Sequence, residues 1–131
     1  MTEIAAPAVD LVHLDRYTGG DRSVNDEILG LFHTQCDEIV AKLEAMVEGP
    51  DEQCHGANDF SGNNKERWHK TLHSLKGAAR GIGAFQLGDV AQEVEKTDPA
   101  ARPAGLDALQ RIREKSEAVQ LFIEKFRQNG A

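Results

Sequence analysis

The sequence predicts an all-α fold, an antiparallel four-helix bundle with a short extra N-terminal helix. Three observations carry this. Apolar residues recur at spacings of three and four along four segments, which sets them on one stripe of a helix. No stretch alternates apolar and polar residues in the strand period. The later connections are short, and short connections make consecutive helices antiparallel neighbours. The 131 residues suit one domain and can bury a core without a metal or disulfide staple. Residues 1–8 are expected to form a flexible tail and residues 9–131 a single helical domain.

The short extra helix spans about Val9 to Tyr17 and is stopped by Gly19-Gly20. The first long helix carries Val24, Ile28, Leu31, Phe32, Cys36, Ile39, Leu43 and Met46 as its apolar stripe. Asp21 or Ser23 can cap it by accepting a hydrogen bond from a free backbone amide. Gly49-Pro50 ends it, since proline has no amide to continue the ladder. Residues 50–64, rich in Gly, Asn and Asp, read as a loop. A second helix runs from about Lys65 to Ile82 with Trp68, Leu72, Leu75, Ala79 and Ile82 on its stripe, and Gly83 stops it. A third, about Ala84 to Lys96, carries Leu87, Val90, Ala91 and Val94, and Asp98-Pro99 closes it. The fourth, about Gly105 to Gln128, carries Leu106, Leu109, Ile112, Val119, Ile123 and Phe126.

Composition narrows the function. The net charge of −7 argues against a nucleic-acid binder, which needs a dominant basic surface to displace counterions, and against docking on an anionic membrane. Aromatic residues at 5% are too sparse for base-stacking platforms. No apolar run approaches the roughly 20 residues that cross a bilayer. The start, Met1 to Pro7, holds an acid and no base, unlike a signal peptide. Cys36 and Cys54 form no CxxC pair, so a reduced, cytoplasmic protein is expected.

The chemistry sits off the stripe of the second helix. His69, His73, Lys76, Gly77 and Arg80 lie three and four apart, so they share a face, and that face is expected to point to solvent. An imidazole there is mostly neutral near pH 7 and is a usable nucleophile. Gly77 costs roughly 1 kcal/mol against alanine inside a helix. One turn from His73, it leaves a flat spot where another molecule can approach. Lys76 and Arg80 can reach an anion attached to the imidazole. From Lys65 to Gly83 five bases (Lys65, Arg67, Lys70, Lys76, Arg80) face one acid (Glu66), so this helix carries +4 and the rest of the chain −11. A basic helix on an acidic molecule suggests an acidic docking partner, with His69, Lys70 and Arg80 as its contacts.

The run His73-Ser74-Leu75-Lys76-Gly77-Ala78-Ala79-Arg80-Gly81-Ile82-Gly83-Ala84 resembles the signature of the histidine-containing phosphotransfer (HPt) domain family. Leu14 to Phe32, with its Thr18-Gly19-Gly20-Asp21 turn, is similar to the family's N-terminal part. Leu87 to Glu95 resembles the stretch after the signature. The likeness covers about residues 9–128, and the long loop before the histidine helix departs from it. It implies that His73 is the phosphoacceptor of a two-component phosphorelay. His73 would take a phosphoryl group from a receiver-domain aspartyl phosphate and pass it to another receiver. Lys76 would stabilise the phosphate and Gly77 give docking clearance. The partners implied are receiver domains of a hybrid histidine kinase and of a response regulator. The chain has no GxxxxGK[ST] and no GxGxxG after a strand, so it reads as a phosphoryl carrier without an ATP site. No cofactor or metal is expected on this chain, and magnesium would sit on the partner receiver.

Three other readings compete with this one. His69 and His73 at i, i+4 have the spacing of helical zinc ligands, but a zincin needs Glu in His-Glu-x-x-His, and Lys70 follows His69 here. A non-catalytic helical adaptor that docks receivers would have no use for His73, Lys76 and Gly77 together. The dimerising phosphoacceptor domain of histidine kinases places an acid just after its histidine, where this chain has Ser74, and four helices closing one core predict a monomer. His13 and His33 are expected at surface positions.

Overall fold

A computed structural model describes residues 8–48, 60–101 and 103–129. Five helices occur among the described residues: α1 Leu11–Thr18, α2 Arg22–Glu48, α3 Phe60–Ile82, α4 Phe85–Val94 and α5 Ala104–Asn129. The caps are local chemistry. The Asp10 carboxylate accepts from the amides of Val12 and His13 at 3.0 and 3.3 Å, opening α1. Gly19 closes α1 at φ 73°, the left-handed conformation that glycine adopts without strain. Asp21 opens α2 by accepting from Ser23 and Val24.

The four long elements form a ring in which α2 packs on α3 and α5, and α4 packs on the same two. Cross-helix pairs set the directions. Asp26 meets Arg127, His33 meets Glu124 and Glu44 meets Arg113, so α2 and α5 run antiparallel. Arg80 meets Asp89 while Trp68 meets Val94, so α3 and α4 form an antiparallel hairpin. The core between them is apolar and closed: Leu29, Leu43, Trp68, Leu72, Leu75, Leu87, Leu109, Ile112 and Ile123 are fully buried. The architecture is the predicted four-helix bundle with its extra N-terminal helix.

Two junctions hold the ends. Asn25, buried at the start of α2, receives Thr18 Oγ1 at 2.6 Å and donates to Asp15 at 2.9 Å, which ties α1 to α2. The Asp10 amide donates to the Gly83 carbonyl at 2.9 Å, which ties the start of α1 to the turn between α3 and α4. Gly83 has φ 94°, and a Cβ there would lie 2.5 Å from the Asp10 carbonyl oxygen. Only glycine fits that turn.

Several sequence expectations shift. Near the start of α2 it is Leu29 that is buried, while Leu31 and Val24 are exposed. The run Leu29-Gly30-Leu31-Phe32 offers apolar residues to two nearly opposite faces, and packing against α5 chooses between them. Leu106 is likewise exposed, its place taken by Ala108 and Gly105. Helix α3 begins at Phe60, so residues 60–64 are helical and not loop. The rest of the 50–64 stretch, with Cys54 and His55, lies outside the described residues, as do residues 1–7. Ala8, assigned to the tail, packs against the core. His13 and His33 are half-buried and not plain surface: His13 meets the rings of Tyr17 and Phe85, and His33 pairs with Glu124 at 2.9 Å. Cys36 is buried and unpaired, and burial, with Asp37 nearby, pushes its thiol up to about 12. Among the described residues no helix is long and apolar enough to cross a membrane.

Candidate functional site

The site lies where the C-terminal end of α4 meets the middle of α3. Trp68 is wholly buried, and its indole N–H donates to the Val94 carbonyl at 2.9 Å. A buried indole needs that partner. The bond fixes the end of α4 against α3 and brings the next residue, Glu95, under the outer residues of α3.

Glu95 is 7% exposed, a rare position for a carboxylate without partners. Its Oε1 lies 3.6 Å from His73 Nδ1 and 3.6 Å from Lys76 Nζ. These are charge contacts beyond hydrogen-bond length, and Oε1 is buried with no hydrogen-bond partner. Its backbone carbonyl faces His69 Nδ1 at 3.3 Å. One residue therefore meets three of the side chains singled out in the sequence. The His69 and His73 rings lie nearly parallel, 17° apart in plane with centroids 6.1 Å apart.

A carboxylate beside an imidazole nitrogen favours the tautomer with the proton on that nitrogen. The lone pair of His73 is then on Nε2. The His73 side chain is 65% exposed, so an incoming group has access to the ring. Gly77 and Gly81, one and two turns along, are exposed, and a Cβ at either would meet nothing within 4 Å. Neither glycine is required by packing among the described residues.

The predicted solvent face is narrower than the spacing implied. His73 and Gly77 are open, but His69, Lys76 and Arg80 lean against α4 and are half-buried. Lys76 keeps 18% of its side chain exposed. Arg80 lies across Gly88, where a Cβ would meet its Cγ at 2.7 Å, and donates to Asp89 and Gln92 at 3.0 and 2.8 Å. It is engaged two turns away from His73. Lys70 faces the other way, lining a groove with Gln35, Glu38 and Lys42 of α2. The structure thus gathers His69, His73 and Lys76 about Glu95 and sends Arg80 and Lys70 elsewhere. Among the described residues no three His, Cys, Asp or Glu side chains gather to hold a metal.

Glu95 is the residue that sequence reasoning missed. It sits beside the stripe of α4, next to Val94, and a charged residue after the last helical turn reads as solvent-facing. The available signal was its place at the end of the stretch resembling the family.

Fold and site define a helical bundle that presents one oriented imidazole on an open helix face. A family model for the Hpt domain matches residues 27–128, more than three-quarters of the chain, and the chain belongs to that family. Hpt domains serve histidine phosphotransfer in phosphorelays and interact with receiver domains. No curated protein and no solved structure matches the chain.

Proposed function

We propose that His73 accepts a phosphoryl group from the aspartyl phosphate of one receiver domain and delivers it to the aspartate of another. The observation that carries this reading is the Glu95 carboxylate behind His73 Nδ1, which leaves Nε2 as the nucleophile. In the forward step Nε2 forms a bond to phosphorus as the bond from phosphorus to the aspartate oxygen breaks. The aspartate leaves as a carboxylate. The proton stays on Nδ1, and the positive charge that develops on the ring falls beside Glu95. Lys76, drawn to the same carboxylate, stands near the arriving oxygens and offsets their charge. Gly77 leaves room for the receiver's backbone. His69, Lys70 and Arg80 border the docking face, with Arg80 already held by Asp89 and Gln92.

Phosphoryl transfer of this kind rests on in-line positioning and charge neutralisation. Magnesium and the acidic pocket belong to the receiver. The donor and recipient are receiver domains of a hybrid histidine kinase and of a response regulator, met by a monomeric carrier in the cytoplasm. An adaptor that only docks gives no account of a buried carboxylate aimed at an exposed histidine.

The test is His73→Gln. The residue is exposed, so the fold is kept, and phosphate uptake from a phosphorylated receiver is lost. Product from the unsubstituted protein is acid-labile and alkali-stable, as phosphohistidine is. Full labelling of the variant, or an alkali-labile label, overturns the assignment.

A further inference from the structure

We propose that the receiver docks across the α2 side of His73, on an apolar shelf of α2 and α3 anchored by Leu31, and not on the α4 side. The inference rests on the phosphoacceptor reading and says where that partner sits.

The helical period locates the shelf. Gln35, Glu38 and Lys42 of α2 share a groove with Lys70, Thr71 and Ser74 of α3. Asn25 and Asp10 tie the two ends of α1 to the start of α2 and to the turn after α3, so α2 and α3 run antiparallel. One turn back from Gln35 is Leu31, and one turn on from Ser74 is Ala78, which places the two opposite each other. Leu31 is 68% exposed. Val24, Ile28 and Leu31 follow at spacings of four and three, so they share the flank of α2 that continues into the groove. Ile28 and Ala78 are half-buried against the core. On α3 the exposed Gly77 and Gly81 have open space where a Cβ would stand. The face is thus apolar beside the two glycines and polar in the groove, with His73 between the two parts.

Size and charge name the occupant. Transfer seats the receiver's aspartate on His73, and a standard interface covers roughly 800 Å² of each partner, a disc about 16 Å in radius. Gly81 lies eight residues from His73, about 12 Å along the axis. Leu31, opposite Ala78 on a helix roughly 8–10 Å away, is also about 12 Å from His73. Both fall inside the disc. The α4 flank is already engaged: Lys76 is drawn to Glu95, and Arg80 donates to Asp89 and Gln92. A partner there has to break those contacts, whereas on the α2 side it displaces water from apolar carbon. Interfaces bury such an apolar centre and keep polar groups at the rim. Leu31 supplies the centre, and the exposed Lys42 and Lys70 a basic rim that suits a receiver's acidic pocket. A second copy of this chain would bring the same net charge of −7 and is repelled.

The probe is a purified receiver domain that binds the full chain. Leu31→Glu is expected to raise the receiver concentration for half-maximal transfer at least about tenfold, with the saturated rate within about twofold and circular dichroism unchanged. Lys70→Glu raises it about threefold at low salt and not at high salt. Leu121→Glu, equally a surface change but on α5 across the bundle, leaves it unaltered. Amide shifts of the unsubstituted chain with unphosphorylated receiver are expected to move at Leu31, Ala78 and Gly81 and to stay in place at Asp89 and Gln92. That measurement needs no substitution. An unchanged half-maximal concentration in Leu31→Glu, an equal effect of Leu121→Glu, or shifts confined to α4 overturns the docking face. A dimer of the chain alone that Leu31→Glu abolishes gives the shelf to a second copy and overturns it too. Normal transfer to His73 by Leu31→Glu strikes only this inference. Shifts at Leu31 with no phosphohistidine formed strike the phosphotransfer reading instead.

Discussion

The α2–α5 seam and the outer face of α3 are made of similar parts and finished differently. Each has charged side chains and glycine inside a helix. Along the seam the polar groups meet across the helices: Arg127 with Asp26, Arg113 with Glu44 and His33 with Glu124, while the Gln120 amide donates to Asp37. Gly30 lies beneath Arg127, whose Nη1 would be 2.7 Å from a Cβ at that position. Along α3, Gly77 and Gly81 have open space above them, and the Glu95 oxygen behind His73 has no hydrogen-bond partner. A glycine inside a helix costs roughly 1 kcal/mol against alanine. At Gly30 a guanidinium laid on the backbone accounts for it. At Gly77 and Gly81 nothing among the described residues does. The seam's charged groups are met from the facing helix, and the α3 face around Gly77 and Gly81 is open.

The sharpest way to break both regions is at their joint. Gly83→Ala would place a Cβ 2.5 Å from the Asp10 carbonyl at φ 94°, so it is expected to cost about 3 kcal/mol or more, measured by urea unfolding. A variant as stable as the parent would show that the turn rearranges freely. Next in size is Gly77→Gln, which folds but stands a side chain beside His73. Transfer from a receiver is expected to fall on the order of a hundredfold, since about 1 Å of displacement costs that much, while a small-molecule phosphodonor still labels His73. Normal transfer from receivers would make the glycine incidental.

Lys76→Ala removes a cation near the transferred group and is expected to slow transfer about tenfold at low salt, with circular dichroism unchanged. An unchanged rate would argue that Lys76 serves only to neutralise Glu95. The smallest effect gives the cleanest contrast. Gly77→Ala is expected to raise stability by up to about 1 kcal/mol, because the site is open and alanine is the better helix former. Gly30→Ala gains less or loses, because it displaces Arg127 from Asp26. Equal gains in thermal unfolding would erase the distinction between the two faces.

Much of this was legible in the sequence, and the parts that were not have physical reasons. The stripes of α3 and α4 were readable because Trp68, Leu72, Leu75, Leu87 and Val94 keep one helical period with polar neighbours on either side. The exchange of Leu29 for Leu31 was not, since apolar residues two apart lie on nearly opposite faces and only the facing helix selects one. The start of α3 was missed because Gly62, Asn63 and Asn64 have weak helix propensity, which the rest of a 23-residue helix overrides. His73 and Gly77 were legible as an exposed pair from spacing alone. Glu95, and the burial of Lys76 and Arg80, depend on how closely α4 lies against α3. The period of a single helix carries no information about that.

The reach of the cross-helix bonds also orders events during synthesis. Trp68 and Val94 are 26 residues apart, whereas Asp26 waits for Arg127, 101 residues later. As the chain leaves the ribosome, α3 and α4 have each other, with His73 and Glu95 between them, before α5 exists to cover α2. Leu29, Phe32 and Cys36 are then a stripe without its main neighbour, the kind of surface that chaperones bind. The α3–α4 hairpin is thus the early-assembling half of the domain, and the ion-paired seam that steadies it is the last to close.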